Sequence, residues 1–461
     1  MLKLRENQVE PIDKAIEFFK QDKPKPSLIV LPTAWGKSIL TAFVAKATNE
    51  KLLILQPSKE LLEQNYKKYV AMCQFEFEAG IYSASFGRRE MRGITYATIG
   101  SIKDLGAKFK DLEYKQMLID EAHLYPREAK SMLGKFLADS GISHVLGITA
   151  TPIKPQTNYM NREAHTKLVM LTSRSKKGNF YKEILHVSQV SEMIERGYWC
   201  DLRYIATKFD GSLLVYNSSK SEYTEASVEL AFQANNIHAQ IEHQLNANAD
   251  RKHILVFVPT VEEAIQLSKQ HPNSAAVWGE MDKKQREQTI NDFRAGRIRV
   301  IFNVRVLSTG FDYTGIDCII FGSSTASFAL YYQIIGRGTR IDADKKDCLI
   351  IDLAGNLERF GRVEDIVFEK GTIWRMFGTD GRLLTGIPVD QIGKKFREHV
   401  EILEQNKKNN IPTVMPFGKY KGKPISEVPS FYRQWLLDNC NWNKSNENLR
   451  KAILHSQVLA K

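Results

Sequence analysis

The chain has 461 residues, with 65 Lys or Arg against 53 Asp or Glu, a net charge of +12 and a pI near 9.2. That length allows roughly two to four domains with a sizeable core, and the basic balance favours a polyanionic partner. Five scattered cysteines form no CxxC pair, and neither an 18-residue apolar run nor an apolar stretch behind Met1 occurs. A disulfide framework, a zinc cluster, a membrane span and a secretory leader are therefore not expected, and a soluble protein of the reducing cytoplasm is.

Residues 7–20 place Val9, Ile12, Ile16 and Phe19 on one helical face, with Arg5 and Gln8 at its start. A glutamine amide offers the donor and acceptor that an adenine edge requires. Gln8 stands 28 residues ahead of Gly36, in LPTAWGKS, which lies between the apolar run Leu28–Leu31 and a helical pattern from Ile39. Strand, tight loop and helix aim amides and a helix N-terminus at phosphate. Gly36 lets the backbone approach the anion, Lys37 reaches the β and γ oxygens, and the Ser38 hydroxyl suits Mg²⁺. The full pattern wants glycine where Leu31 stands, so GKS alone also reads as a plain turn. Asp120-Glu121-Ala122-His123, behind the apolar run Met117–Ile119, tips the balance, since a carboxylate pair at a strand end can hold metal and orient water.

Further strand-like runs are Leu52–Leu55, ending in Gln56-Pro57-Ser58, then Ile94–Ala97 before Thr98, and His144–Thr149 before Ala150-Thr151-Pro152. Strands alternating with helices predict a doubly wound α/β fold, whose ligands collect at the carboxyl ends of a parallel sheet. Residues 161–245 read as an accessory segment packed on the first sheet, with helical character from Ser218 to Asn248. From His253 a second alternation begins, running through Val300–Phe302, Ile316–Phe321 and Cys348–Leu353. It has no phosphate loop but carries Gln333-Ile334-Ile335-Gly336-Arg337-Gly338-Thr339-Arg340. Arginines at i and i+3 share a helix face and can spread transition-state charge on a γ-phosphate. A solvated basic turn is the plain alternative.

In order, these stretches resemble the motifs of superfamily 2 helicases and translocases. LRENQ is similar to the adenine motif, PTAWGKS to motif I, QPSKELLEQ to Ia, TYATIGS to Ib, DEAH to II and ITATP to III; ILVFVPT, VLSTGFDYTGID and QIIGRGTR resemble IV, V and VI. The second half is most similar to RadD-type repair helicases without their cysteine cluster, and the phosphate loop to phage UvsW-type helicases, which also lack glycine at the position of Ala34. The resemblance implies two RecA-like domains in tandem, at 1–160 and 246–370, using ATP and Mg²⁺ but no zinc. It implies nucleotide contacts from Arg5, Gln8, Pro32, Thr33, Ala34, Gly36, Lys37, Ser38, Gly310 and Asp312, and metal ligation by Ser38 and Asp120. Lys37, Asp120, Glu121, Gln333, Arg337 and Arg340 would be catalytic. His123, Thr149 and Thr151 would relay hydrolysis to a DNA strand held near Ser58, Thr98, Thr151 and Thr309. The implied activity is that of an ATP-dependent DNA helicase or translocase acting on branched or forked DNA in replication, recombination or repair. An ATP-gated clamp that never separates strands, or an RNA helicase, fits the same motifs.

Beyond residue 370 the alternation stops. Residues 391–461 hold 13 Lys or Arg against 6 Asp or Glu, and around 411–440 MPFGKYKGKP interleaves aromatics with lysines before Phe431, Trp435 and Leu436. This stretch resembles a small α+β module appended to phage and bacterial nucleases. Lys419 and Lys421 are candidate phosphate contacts and the module a candidate docking point for proteins; aromatics forming a core of their own is the alternative.

Overall fold

The computed structural model describes residues 4–73, 78–125, 130–160, 163–173, 179–307, 313–392, 412, 415–416, 420–440 and 446–458. They fall into two compact units, Met1–Val389 and Asp390–Lys461.

The larger unit holds two mainly parallel sheets, as expected of tandem RecA-like domains. The strands Ser27–Val30, Leu52–Leu55, Gln116–Ile119 and His144–Thr149 are buried at every position. Runs such as LLIL and HVLGIT carry apolar residues on both faces, which suits a sheet covered by helices on each side. Across the first sheet the order is Glu183–Val187, Ser27–Val30, His144–Thr149, Gln116–Ile119, Leu52–Leu55, Ile94–Ala97, Ala79–Ser83 and an antiparallel edge Arg88–Arg89. Parallel register brings Val30 level with Thr149 and Leu55 level with Ile119. The phosphate loop, Asp120 and Thr149 thus emerge along one edge. The second sheet, parallel throughout, runs Asp201–Ala206, Asp347–Asp352, Cys318–Phe321, Ile254–Phe257, Val300–Asn303 and Ser274–Val277.

Residues 161–245 are not a layer on the first sheet. Glu183–Val187 joins that sheet, Asp201–Ala206 joins the second, and the helices Glu225–Ala234 and Ile237–Ala247 pack on the second through Phe232, Ile237, Ile241 and Leu245. The i, i+4, i+8 spacing of the last three makes the stripe that buries them. The opening helix, Glu6–Lys20, is also rotated from its sequence reading: it buries Pro11, Ile12, Ala15, Phe18 and Phe19, while Val9 is 46% exposed.

The smaller unit has a core of its own, built from Met415, Ile425, Val428, Leu436, Leu449 and Ile453. Its helices run Ser430–Asn439 and Glu447–Val458.

Candidate active site

The phosphate loop turns through two left-handed residues, Ala34 at φ 57° and Gly36 at φ 101°. A β-carbon on Gly36 would lie 2.8 Å from Gln8 Nε2, so glycine is demanded by space as well as by φ. The turn starts the helix Lys37–Ala47 at the loop, with its free N-terminal amides on the loop side.

Gln8 lies beneath this loop. It is 1% exposed, its Oε1 accepts from Arg5 N at 3.0 Å, and its Nε2 donates to the Trp35 carbonyl at 2.9 Å. The adenine contact expected of Gln8 is not presented in this arrangement, because its amide buttresses the loop. Arg5 does reach the cleft, with its guanidinium 4.7 Å from the Tyr198 ring centroid. Pro32 is buried, its carbonyl accepting from Trp35 N at 3.4 Å. Trp35 is fully buried and packs.

A cleft of about 420 Å³ opens over the loop. The first sheet lines it with Thr33, Ala34, Gly36, Lys37, Ser38, Ser58, Asp120 and Glu121, and the second with Gln333, Gly336, Arg337 and Arg340. Lys37 Nζ donates to the Glu121 carboxylate. Ser38 Oγ accepts from Lys68 Nζ at 3.2 Å, and Asn65 Nδ2 ties Gln56 Oε1 at 3.0 Å to Asp120 Oδ2 at 3.3 Å. Glu121 itself has a positive φ of 46°, a strained conformation for a non-glycine residue.

The two carboxyls are driven apart electrically. Burial, reinforced by the Glu121 charge, pushes Asp120 up to about 6. Burial also acts on Glu121, but Lys37, His123 and Arg337 outweigh it and hold that carboxyl below the usual range. The Arg337 charge therefore reaches across the seam. Divergent carboxyls in a cleft mark a site built for charge chemistry.

The helix Phe328–Gly338, capped by Ser327 Oγ accepting from Leu330 N at 3.3 Å, carries Gln333 and Arg337. Arg340 lies beyond it, so the shared-face argument for the two arginines does not apply, although both line the cleft. The seam is tight. A β-carbon on Gly336 would come 2.5–2.7 Å from side-chain atoms of Thr33, and Trp199 Nε1 donates to the Thr33 carbonyl at 3.0 Å. Gln333 Nε2 meets His123 Nε2 at 3.4 Å, while His123 Nδ1 lies 2.8 Å from Thr149 Oγ1.

Thr151 is fully buried and its amide donates to Thr149 Oγ1 at 3.1 Å, so the strand contact expected of it is not on offer. Ser58 lines the cleft itself, and Thr98, half-buried, shares a hydroxyl contact of 3.0 Å with Ser101. Thr309, Gly310, Asp312 and Lys419 lie outside the described residues. Among the described residues, no group of three or more His, Cys, Asp or Glu is placed to hold a metal ion, and no helix is long and apolar enough to cross a membrane. Tyr198 and Lys68, unmarked by any motif, also line the cleft, as does Thr314 from the motif V stretch.

Three family models match in order. Residues 1–154 match "Type III restriction enzyme, res subunit", 233–342 match "Helicase conserved C-terminal domain", and 400–445 match "Putative quorum-sensing-regulated virulence factor". The chain is 28% identical over 381 residues to the putative mitochondrial ATP-dependent helicase irc3 of Schizosaccharomyces pombe, covering 78% of this chain and 58% of that protein. It is 24% identical over 384 residues to the DNA 3'-5' translocase XPB2 of Sulfurisphaera tokodaii, covering 76% and 81%. The chain thus spans little more than half the length of the yeast relative. The ATP-dependent Type ISP restriction-modification enzyme LlaBIII, solved bound to DNA, shares the fold at a TM-score of 0.56 and 18% identity, over 77% of this chain and 28% of that one. With two RecA-like sheets lining one cleft and the restriction-enzyme and helicase C-terminal models matched in order, the chain is similar in fold and domain order to superfamily 2 helicases.

Proposed function

We propose that the protein is an ATP-driven translocase that moves along DNA and acts on branched or forked substrates in replication, recombination or repair. The observation that carries this reading is the shared cleft, where Lys37, Asp120 and Glu121 come from one sheet and Arg337 and Arg340 from the other. Relatives described as an ATP-dependent helicase and a DNA translocase support it, as does the net charge of +12.

On nucleotide entry, Lys37 exchanges the Glu121 carboxylate for phosphate oxygens, and Glu121 is released to orient the attacking water. Arg337 and Arg340 then meet the charge that develops on the γ-phosphate, a contribution of roughly 10³ to 10⁵ in rate in other nucleotide hydrolases. Bound Mg²⁺ would neutralise charge on the phosphates. Ser38 and Asp120 suit it, since this ion takes few protein ligands and keeps water and phosphate oxygens for the rest. Asp120, buried and raised, is a carboxyl whose ionised form a cation would stabilise. Nucleotide contacts made only when the seam is closed bias a hinge between the sheets. The Gln333–His123–Thr149 chain crosses that seam and ties the arginine helix to the strand-end loops. Grip on the backbone through loops near Ser58, Thr98 and Thr309 would make binding tolerant of sequence and sensitive to salt.

ATP hydrolysis measured alone and with single-stranded, duplex, forked and four-way DNA, and with RNA, tests the reading. Lys37→Ala should reduce turnover at least about 100-fold, and Arg337→Ala should lower kcat by about 10³ with a smaller change in KM. A Lys37→Ala protein that hydrolyses ATP at the wild-type rate sinks the proposal. Translocation without strand displacement in the same preparations would restrict it to a remodeller.

A further inference from the structure

The smaller unit leaves its aromatics in an unexpected place. Its core takes Met415, Ile425, Val428, Leu436, Leu449 and Ile453, yet Phe431 is 70% and Trp435 53% exposed. Both lie on the helix Ser430–Asn439, four residues apart and so on one face.

A ladder of rings connects this face to the basic turn before it. Tyr420 packs edge-on against Tyr432 at 4.8 Å between centroids, and Tyr432 stacks on Trp435 at 5.7 Å with planes 22° apart. Lys421 and Lys423, both exposed, follow Tyr420 directly. Flat exposed rings on a helix joined to a lysine-bearing turn answer to an unpaired nucleotide, which has a base to stack and a phosphate to neutralise. A protein partner would find apolar area here, but not a reason for residues 391–461 to hold 13 Lys or Arg against 6 Asp or Glu.

We infer that Phe431 and Trp435, with Lys421 and Lys423 on the turn that the ring ladder joins to them, form a stacking platform for single-stranded DNA, a second strand contact beyond those of the two RecA-like domains. This rests on the DNA-translocase reading and assigns part of its grip to a unit with a core of its own. The platform is sequence-tolerant, because every base has a face to stack, and single-strand-selective, because paired bases hide theirs.

The test uses the full chain and a fluorescent thymidine 20-mer, with binding read by anisotropy. Phe431→Ala/Trp435→Ala should weaken binding at least tenfold. Trp435→Phe should retain most of the affinity, and nucleotide hydrolysis without DNA should not change. Both alanines replace exposed side chains outside the core, so the far-ultraviolet circular dichroism should match wild type. Wild-type affinity in the double variant would overturn the platform. So would an equal loss on a duplex of the same length, or a preferential loss on a uridine 20-mer, which would assign the surface to RNA. Stimulation of wild-type hydrolysis by the DNA 20-mer separates the two claims, because stimulation with an unaffected double variant removes the platform and leaves the translocase standing.

Discussion

Lys37 and Glu121 hold each other at the cleft, and this contact explains how two half-buried, opposite charges can wait for a nucleotide. Without the pair, each would carry an uncompensated desolvation penalty of several kcal/mol, on the order of that for any buried ion. Asp120 is held instead by hydrogen bonds from Asn65 Nδ2 at 3.3 Å and the Glu121 amide at 2.9 Å, and its behaviour is a measurable consequence. Its proton is shed near the ordinary 3.8 in the unfolded chain but held to about 6 in the fold. Between those values the folded state binds more protons, so stability should fall as pH rises from about 4 through about 6, by on the order of 3 kcal/mol without metal or nucleotide. Urea melts across that range check it, and Asp120→Asn should reduce the slope, leaving the share of Asp352, which burial likewise raises to about 6. A wild-type profile already flat there contradicts the burial argument. Gln8 shows the limit of reading residues singly. Its amide chemistry was legible in the sequence, but which partner it uses depended on where the loop backbone passes, and the Trp35 carbonyl took it.

The helix Phe328–Gly338 is the element on which the arginines depend, and its C-terminal end is held from below. Lys345, 9% exposed, donates to the carbonyls of Gly338 at 2.9 Å, Ile316 at 3.0 Å and Thr314 at 3.2 Å, and the Cys200 thiol reaches the same Gly338 oxygen at 3.1 Å. One ammonium thus ties the end of the arginine helix to the segment carrying Thr314, a lining residue of the cleft. Lys345→Met should leave those buried carbonyls short of a donor, cost about 2–4 kcal/mol in a urea melt, and lower kcat more than it alters KM. Unchanged stability and kcat would show that the helix end needs no such anchor. A lysine five residues past Arg340 carried no motif to announce this. The opening helix makes a similar point. Its apolar spacing announced a helix, but Val9 and Ala15 exchanged roles because small Ala15 fits a fully buried position while Val9 falls at the edge of the stripe.

At the scale of the whole molecule, the larger unit is two parallel sheets meeting at Thr33 and Gly336. In an ordinary helix interior, Gly→Ala stabilises by about 1 kcal/mol. Here the added methyl would press on Thr33, so Gly336→Ala should open the seam, reducing kcat at least tenfold while a fluorescent ATP analogue still binds within a few-fold of wild type. A variant with normal turnover would show that closure does not need this contact.

The two alternations of strand and helix, the phosphate loop and the DEAH carboxylates were legible because each is written in local spacing, with apolar runs fixing strands and strand ends fixing where polar residues emerge. Residues 161–245 were not, since a strand such as Asp201–Ala206 alternates between exposed and half-buried positions and reveals its sheet only through its partner Asp347–Asp352. The distance from Lys37 to Arg337 spans 300 residues of chain, and nothing local sets it. Sequence by itself determined which chemical groups are candidates to meet a phosphate. Only the tertiary structure decided which of them share one cleft, which are buried as props, and which aromatics of the smaller unit face water, because burial and reach depend on contacts between segments far apart along the chain.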